Sequence, residues 1–178
     1  MNAAPFKSGL KSLFITIPAI LLANTVQANS GSLNLVGAVN AVTCNISVES
    51  ATGSPVTMID LGTSAVDSAG QEVIFHLSPD TSDSNCDLTN LNAEVTWSGS
   101  NLGPQGIENG SGTATGSRAL LKARPLGGAV EITSVEPSYQ FLQSQMQPDS
   151  TLQFSAQLVA GSVPGTFAST VAYSVSYY

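Results

Sequence analysis

Apolar and polar residues alternate one by one along much of this chain, most clearly at its end. From Gly165 to Tyr178, the residues Phe167, Val171, Tyr173, Val175 and Tyr177 share one parity, and Ala168, Thr170, Ala172, Ser174 and Ser176 share the other. A strand sends successive side chains to opposite faces, so the spacing predicts a terminal strand with one apolar and one small polar face. The same period runs near the other end. Leu33, Leu35, Gly37, Val39 and Ala41 alternate with Asn34, Val36, Ala38, Asn40 and Val42, which predicts a strand over 33–46 behind a short leader, 29–32. Gly37 interrupts the apolar parity, as a bulge or a close backbone approach would.

Between these two, shorter apolar or alternating runs predict strands over 57–61, 72–77, 91–97, 119–123, 130–133 and 151–159. Residues 50–56 read as a turn, and 64–70 and 78–87 as polar loops. Residues 98–117 are so rich in glycine that a regular element is disfavoured by entropy. Residues 136–149, with Pro137 and Pro148 near the ends, read as irregular. No segment keeps a capped 3.6-residue period. The expectation is an all-β chain, an immunoglobulin-like sandwich in one domain. A buried strand at the very end of such a domain leaves a sheet edge for something else to pair.

The first 28 residues do not belong to that fold. Lys7 and Lys11 precede an apolar run, 13–23, and Val26-Gln27-Ala28 fits a small-residue cleavage site. The run falls short of the roughly 20 residues a spanning helix needs, and Pro18 interrupts it. The expected division is a signal peptide at 1–28, an N-terminal extension at 29–43 and the domain proper at 44–178.

Charge narrows the function. From residue 29 onward there are twelve carboxylates against three cations, Arg118, Lys122 and Arg124, a net charge of −9. Nucleic acid would be repelled and no basic stripe is evident. Cys44 and Cys86 are the only cysteines, and in an exported chain they read as one disulfide closing a loop of 41 intervening residues. Catalysis finds little support. His76 is the only histidine and no Gly-x-Ser-x-Gly turn accompanies it. Asp80, Asp83 and Asp87 crowd one loop without the spacing or glycine of a calcium loop. No cofactor, metal site or enzymatic activity is expected.

Several motifs together resemble those of chaperone–usher fimbrial subunits. Gly165 stands fourteenth from the end and Tyr177 is penultimate. The first cysteine closes Gly37-Ala38-Val39-Asn40-Ala41-Val42-Thr43-Cys44, and Ile59-Asp60-Leu61-Gly62 and Asn85-Cys86 follow at similar spacing. Thr96-Trp97-Ser98-Gly99-Ser100 and Phe154-Ser155-Ala156-Gln157-Leu158 resemble, more narrowly, the shaft subunits of enterotoxigenic sialoglycolipid-binding fimbriae.

The resemblance implies an incomplete immunoglobulin-like sandwich lacking its last strand, with an open groove beside the final strand. Gly165, Phe167, Val171, Tyr173, Val175, Tyr177 and Tyr178 would form that groove strand. A periplasmic chaperone would lend it a strand first. At the outer-membrane usher, the extension of a neighbouring subunit would replace that strand, inserting Leu33, Leu35 and Val39 while Gly37 passes a tight point. The product would be a surface fibre that mediates adhesion. In the narrower group the shaft subunit also binds a host glycan through a basic segment before the last strand. Here that segment, 158–164, has no cation, which leaves Arg118, Lys122 and Arg124 as the candidates for an acidic sugar. The other readings are a minor adaptor or carbohydrate-binding subunit of the same fibre, and a secreted immunoglobulin-like binding protein that never polymerises.

Overall fold

The alternating stretches are strands stacked in two layers. The computed structural model describes residues 44–82, 84 and 86–178. The expected signal peptide and the expected donor residues Leu33, Leu35, Gly37 and Val39 lie outside the described residues, as do Asp83 and Asn85.

In chain order the strands are β1 (Ile46–Ser50), β2 (Ala69–Pro79), β3 (Ala93–Ser98), β4 (Leu102–Gly103), β5 (Gly106–Glu108), β6 (Arg118–Ala123), β7 (Val130–Ile132), β8 (Ser138–Phe141), β9 (Leu152–Val159) and β10 (Ala172–Tyr177). The larger sheet runs β1-β2-β9-β6-β5-β4, with β7 also paired to β6. The smaller runs β10-β3-β8. Every pairing is antiparallel. Helical structure among the described residues is limited to two 3-10 turns, Gln143–Gln145 and Pro148–Ser150.

Period-two burial joins the layers. On β3, Ala93, Val95 and Trp97 are buried, and on β6 Ala119, Leu121 and Ala123 are. Phe141, Phe154, Leu77, Leu121, Ile132, Leu152 and Val95 are fully enclosed, each worth about 1.5–3 kcal/mol of transfer from water. Ring contacts fix which strand covers which. Phe141 of β8 meets Phe154 of β9 at 5.6 Å, and Trp97 of β3 lies between Phe154 at 5.3 Å and Phe75 of β2 at 6.3 Å. β8 therefore sits over β9 and β3 over β9 and β2. β10, next in the small sheet, falls on the side of the sandwich where the large sheet ends in β1.

Four expectations change. Residues 57–61 form no strand: Asp60 Oδ1 accepts from the Gly62 N–H at 2.9 Å, Gly62 has φ +68°, and the chain turns there. Ile59 and Leu61 still pack on the core, so their alternation reflects burial without a ladder. The glycine-rich stretch contains the hairpin β4–β5, where Leu102 and Ile107 are buried. The stretch 136–149 holds β8, because Tyr139 and Phe141 complete the small sheet across from Val95 and Ala93. Finally, the last strand is shorter than expected. Gly165, Phe167 and Val171 precede β10 and pair with no strand of either sheet.

Candidate functional site: an open groove between two sheet edges

β10 has one partner, β3, in the register Ala172↔Ser98 through Tyr177↔Ala93. A strand has hydrogen-bonding groups on both edges. Among the described residues, no backbone bond reaches the second edge of Ala172–Ser176. β1 is the facing edge of the large sheet. It pairs with β2, and beyond that its last three residues, Val48, Glu49 and Ser50, meet the turn at residues 53–56.

The side chains along this opening are apolar and incompletely covered. Phe167, Val171, Tyr173 and Val175 on one side, and Ile46 and Val48 on the other, touch the core yet remain half-buried. From Thr166 to Tyr178 the burial alternates without a break, inward at 167, 169, 171, 173, 175 and 177 and outward at every residue between. Period-two burial thus continues upstream of β10, through residues with no strand partner.

Both ends of this segment are fastened. At the far end, the Asn92 N–H donates to the Tyr178 carbonyl at 2.9 Å, and the Tyr178 N–H returns a bond to the Asn92 carbonyl at 3.1 Å. Tyr177 is buried, and that burial pushes its phenol up to about 12. At the near end, the glycine-rich loop acts as a strap. Gly110 and Ser111 N–H both donate to the Ala168 carbonyl at 3.0 Å, and Ala114 N–H donates to that of Thr166 at 3.0 Å. The Asn109 side chain bridges the two segments, donating to Thr166 O at 3.1 Å and accepting from Ala168 N–H at 3.0 Å. Gly165 permits this approach. A Cβ there would lie 2.6 Å from Ala114 N and 2.5 Å from Thr113 Oγ1. The sequence marks Gly165 by position alone; the reason is the strap.

The three cations stand elsewhere, on the outer face of the large sheet, each with a carboxylate residue across from it or bonded to it. Arg118 lies opposite Glu108, and Lys122 opposite Glu131. Arg124, just past β6, bonds Glu72 through Nη1 at 3.0 and 3.1 Å. Ser155 Oγ donates to the same carboxylate at 2.6 Å, and this bond first, then the charges of Arg124 and Lys122, hold Glu72 below the usual carboxylate range.

His76, half-buried on that face, pairs in register with Glu49 and Gln153. Among the described residues, no group of three or more His, Cys, Asp or Glu is placed to hold a metal ion. The disulfide joins Cys44 to Cys86, tying the start of β1 to the loop before β3.

No protein-family model matches the chain. Two fimbrial proteins of Escherichia coli do. It is 31% identical to the F107 fimbrial protein over 169 residues, covering 93% of this chain and 97% of that one. It is 30% identical to the K99 fimbrial protein over 179 residues, with the same coverage. Among solved structures, the P pilus rod subunit PapA matches 83% of this chain and all of its own, with a TM-score of 0.52 at 14% identity.

Proposed function

The chain belongs to the family of fimbrial subunits that includes the F107 and K99 proteins, and from that premise we propose that it polymerises by strand addition into the groove beside β10. As a fimbrial subunit it is exported to the cell surface, and its role is structural rather than enzymatic. The observation that supports the mechanism is the pair of edges, β1 and β10, lined by half-buried apolar side chains, with the second edge of Ala172–Ser176 bonded to no backbone group of the described residues.

An added strand would satisfy both needs at once. Its backbone would pair with the second edge of Ala172–Ser176, and alternate side chains would cover Phe167, Val171, Tyr173 and Val175. We assign the added strand to residues 33–39 of a second copy, with Leu33, Leu35 and Val39 facing inward. Burying three such side chains contributes roughly 5–9 kcal/mol before the cost of association. Before assembly, the same edge would be held by a periplasmic chaperone and handed over at the outer-membrane usher. The resulting fibre would serve attachment.

Removal of residues 29–43 tests this reading. The truncated chain should still be captured by the chaperone through its own groove, yet join no fibre as donor. Fibre assembly by that truncation at normal levels would refute the proposal.

A further inference from the structure

Asn109 is followed by Gly110, and this is the only Asn-Gly pair in the chain. A glycine after asparagine leaves the next backbone nitrogen unshielded by a Cβ and free to rotate toward the side-chain carbonyl carbon. Folding places this pair at the strap over the groove strand. Asn109 Nδ2 donates to the carbonyls of Ala114 at 2.8 Å and Thr166 at 3.1 Å. Its Oδ1 accepts from the N–H groups of Gly112 and Ala168, both at 3.0 Å. All four hydrogen-bonding positions of the amide are taken. The Gly110 N–H is separately committed to the Ala168 carbonyl at 3.0 Å.

We propose that Asn109 is a conformation-gated deamidation site, protected while the strap is closed and reactive while it is open. In the open loop the Gly110 nitrogen attacks Asn109 Cγ and forms a five-membered imide. The Cγ–Nδ2 bond breaks, and Nδ2 leaves as ammonia with the proton that Gly110 gives up. Water then opens the imide at either carbonyl, leaving aspartate or isoaspartate. Neither product can rebuild the strap. An oxygen bearing negative charge would stand where Nδ2 donated, facing the carbonyls of Ala114 and Thr166. Isoaspartate also lengthens the backbone by one atom. The closed strap opposes the reaction twice over, since it immobilises the amide and occupies the attacking nitrogen. Chains that linger with this loop open are therefore marked irreversibly, whether or not their groove ever receives a strand.

Wild-type protein recovered from the cell surface supplies both states. One portion is kept native and the other is unfolded in guanidinium, both at mildly alkaline pH, and peptide mass spectrometry follows Asn109 against the other asparagines. Because reaction needs local opening, conversion at Asn109 should be at least about tenfold slower in the native portion. It should lead all other asparagines in the unfolded one. Gly110→Ala, measured unfolded so that folding is immaterial, should slow conversion about tenfold by shielding the nitrogen. Equal rates at Asn109 in the native and unfolded portions, or an unfolded Gly110→Ala chain that converts as fast as wild type, would overturn the proposal.

Discussion

Gly165 passes so close to Thr113 that a Cβ built on it would stand 2.5 Å from the threonine hydroxyl, with Ala114 N at 2.6 Å. Two backbones meet there with no room for a side chain, and the contact fixes where the chain enters the groove. Gly165→Ala should destabilise the domain by about 1–3 kcal/mol through overpacking. Gly128→Ala supplies the control. Its added methyl meets nothing within 4 Å, and the change should stay within about 0.5 kcal/mol. Denaturant melts of chaperone-bound or strand-complemented protein would measure both.

The Cys44–Cys86 bond should matter more than any single contact at the edges. It spans a sequence separation of 42, and loop-closure reasoning gives about 4 kcal/mol from restricting the unfolded chain. Replacing both cysteines by serine should lower the denaturation midpoint accordingly. An unchanged midpoint would mean that β1 is held without the bond.

Two groups should shape the pH dependence from opposite ends. Glu72 lies below the usual carboxylate range, chiefly through Ser155. A depressed carboxylate adds stability above its unfolded value, and that stability is lost as pH falls through the folded one. Ser155→Ala should raise the Glu72 midpoint in an NMR titration and weaken the protein at neutral pH. The difference should vanish in strong acid. The Arg124–Glu72 pair is partly exposed, its side chains at 33% and 31%, so Arg124→Ala should cost less than about 1 kcal/mol.

Tyr177 runs the other way. Its phenol is raised to about 12 by burial. The stability tied to its neutral form is complete below the unfolded value near 10 and is lost as pH climbs toward the folded one. Tyr177→Phe should remove that alkaline loss between pH of about 10 and about 12, as followed by ultraviolet absorbance and circular dichroism. An identical alkaline limb in the variant would contradict the assignment.

Alternation made the core strands legible. Val95 and Trp97, Leu121, Phe154 and Leu158 all face inward as their parity requires. The same signal misled where apolar residues are buried without a ladder, as at Ile59 and Leu61. It was also too short to reveal β8, which relies on its long-range pairing with β3. The final strand β10 is legible as a pattern, but its fastening is not. The strap depends on Asn109 and Thr113 in one loop and on Thr166 in another, 57 and 53 residues away. No local period links them. The cations were equally unreadable, because only the sheet register shows a carboxylate opposite Arg118 and Lys122.

The proposed strand exchange turns on which copy would supply the strand beside β10. A photo-crosslinking residue placed at Leu35 in surface-assembled fibres tests this directly. The expected product is a ladder of covalent multimers on a denaturing gel, with residue 35 of one copy joined to the β10 peptide of another. A crosslinked product confined to monomers, with residue 35 joined to its own chain, would contradict strand exchange between subunits.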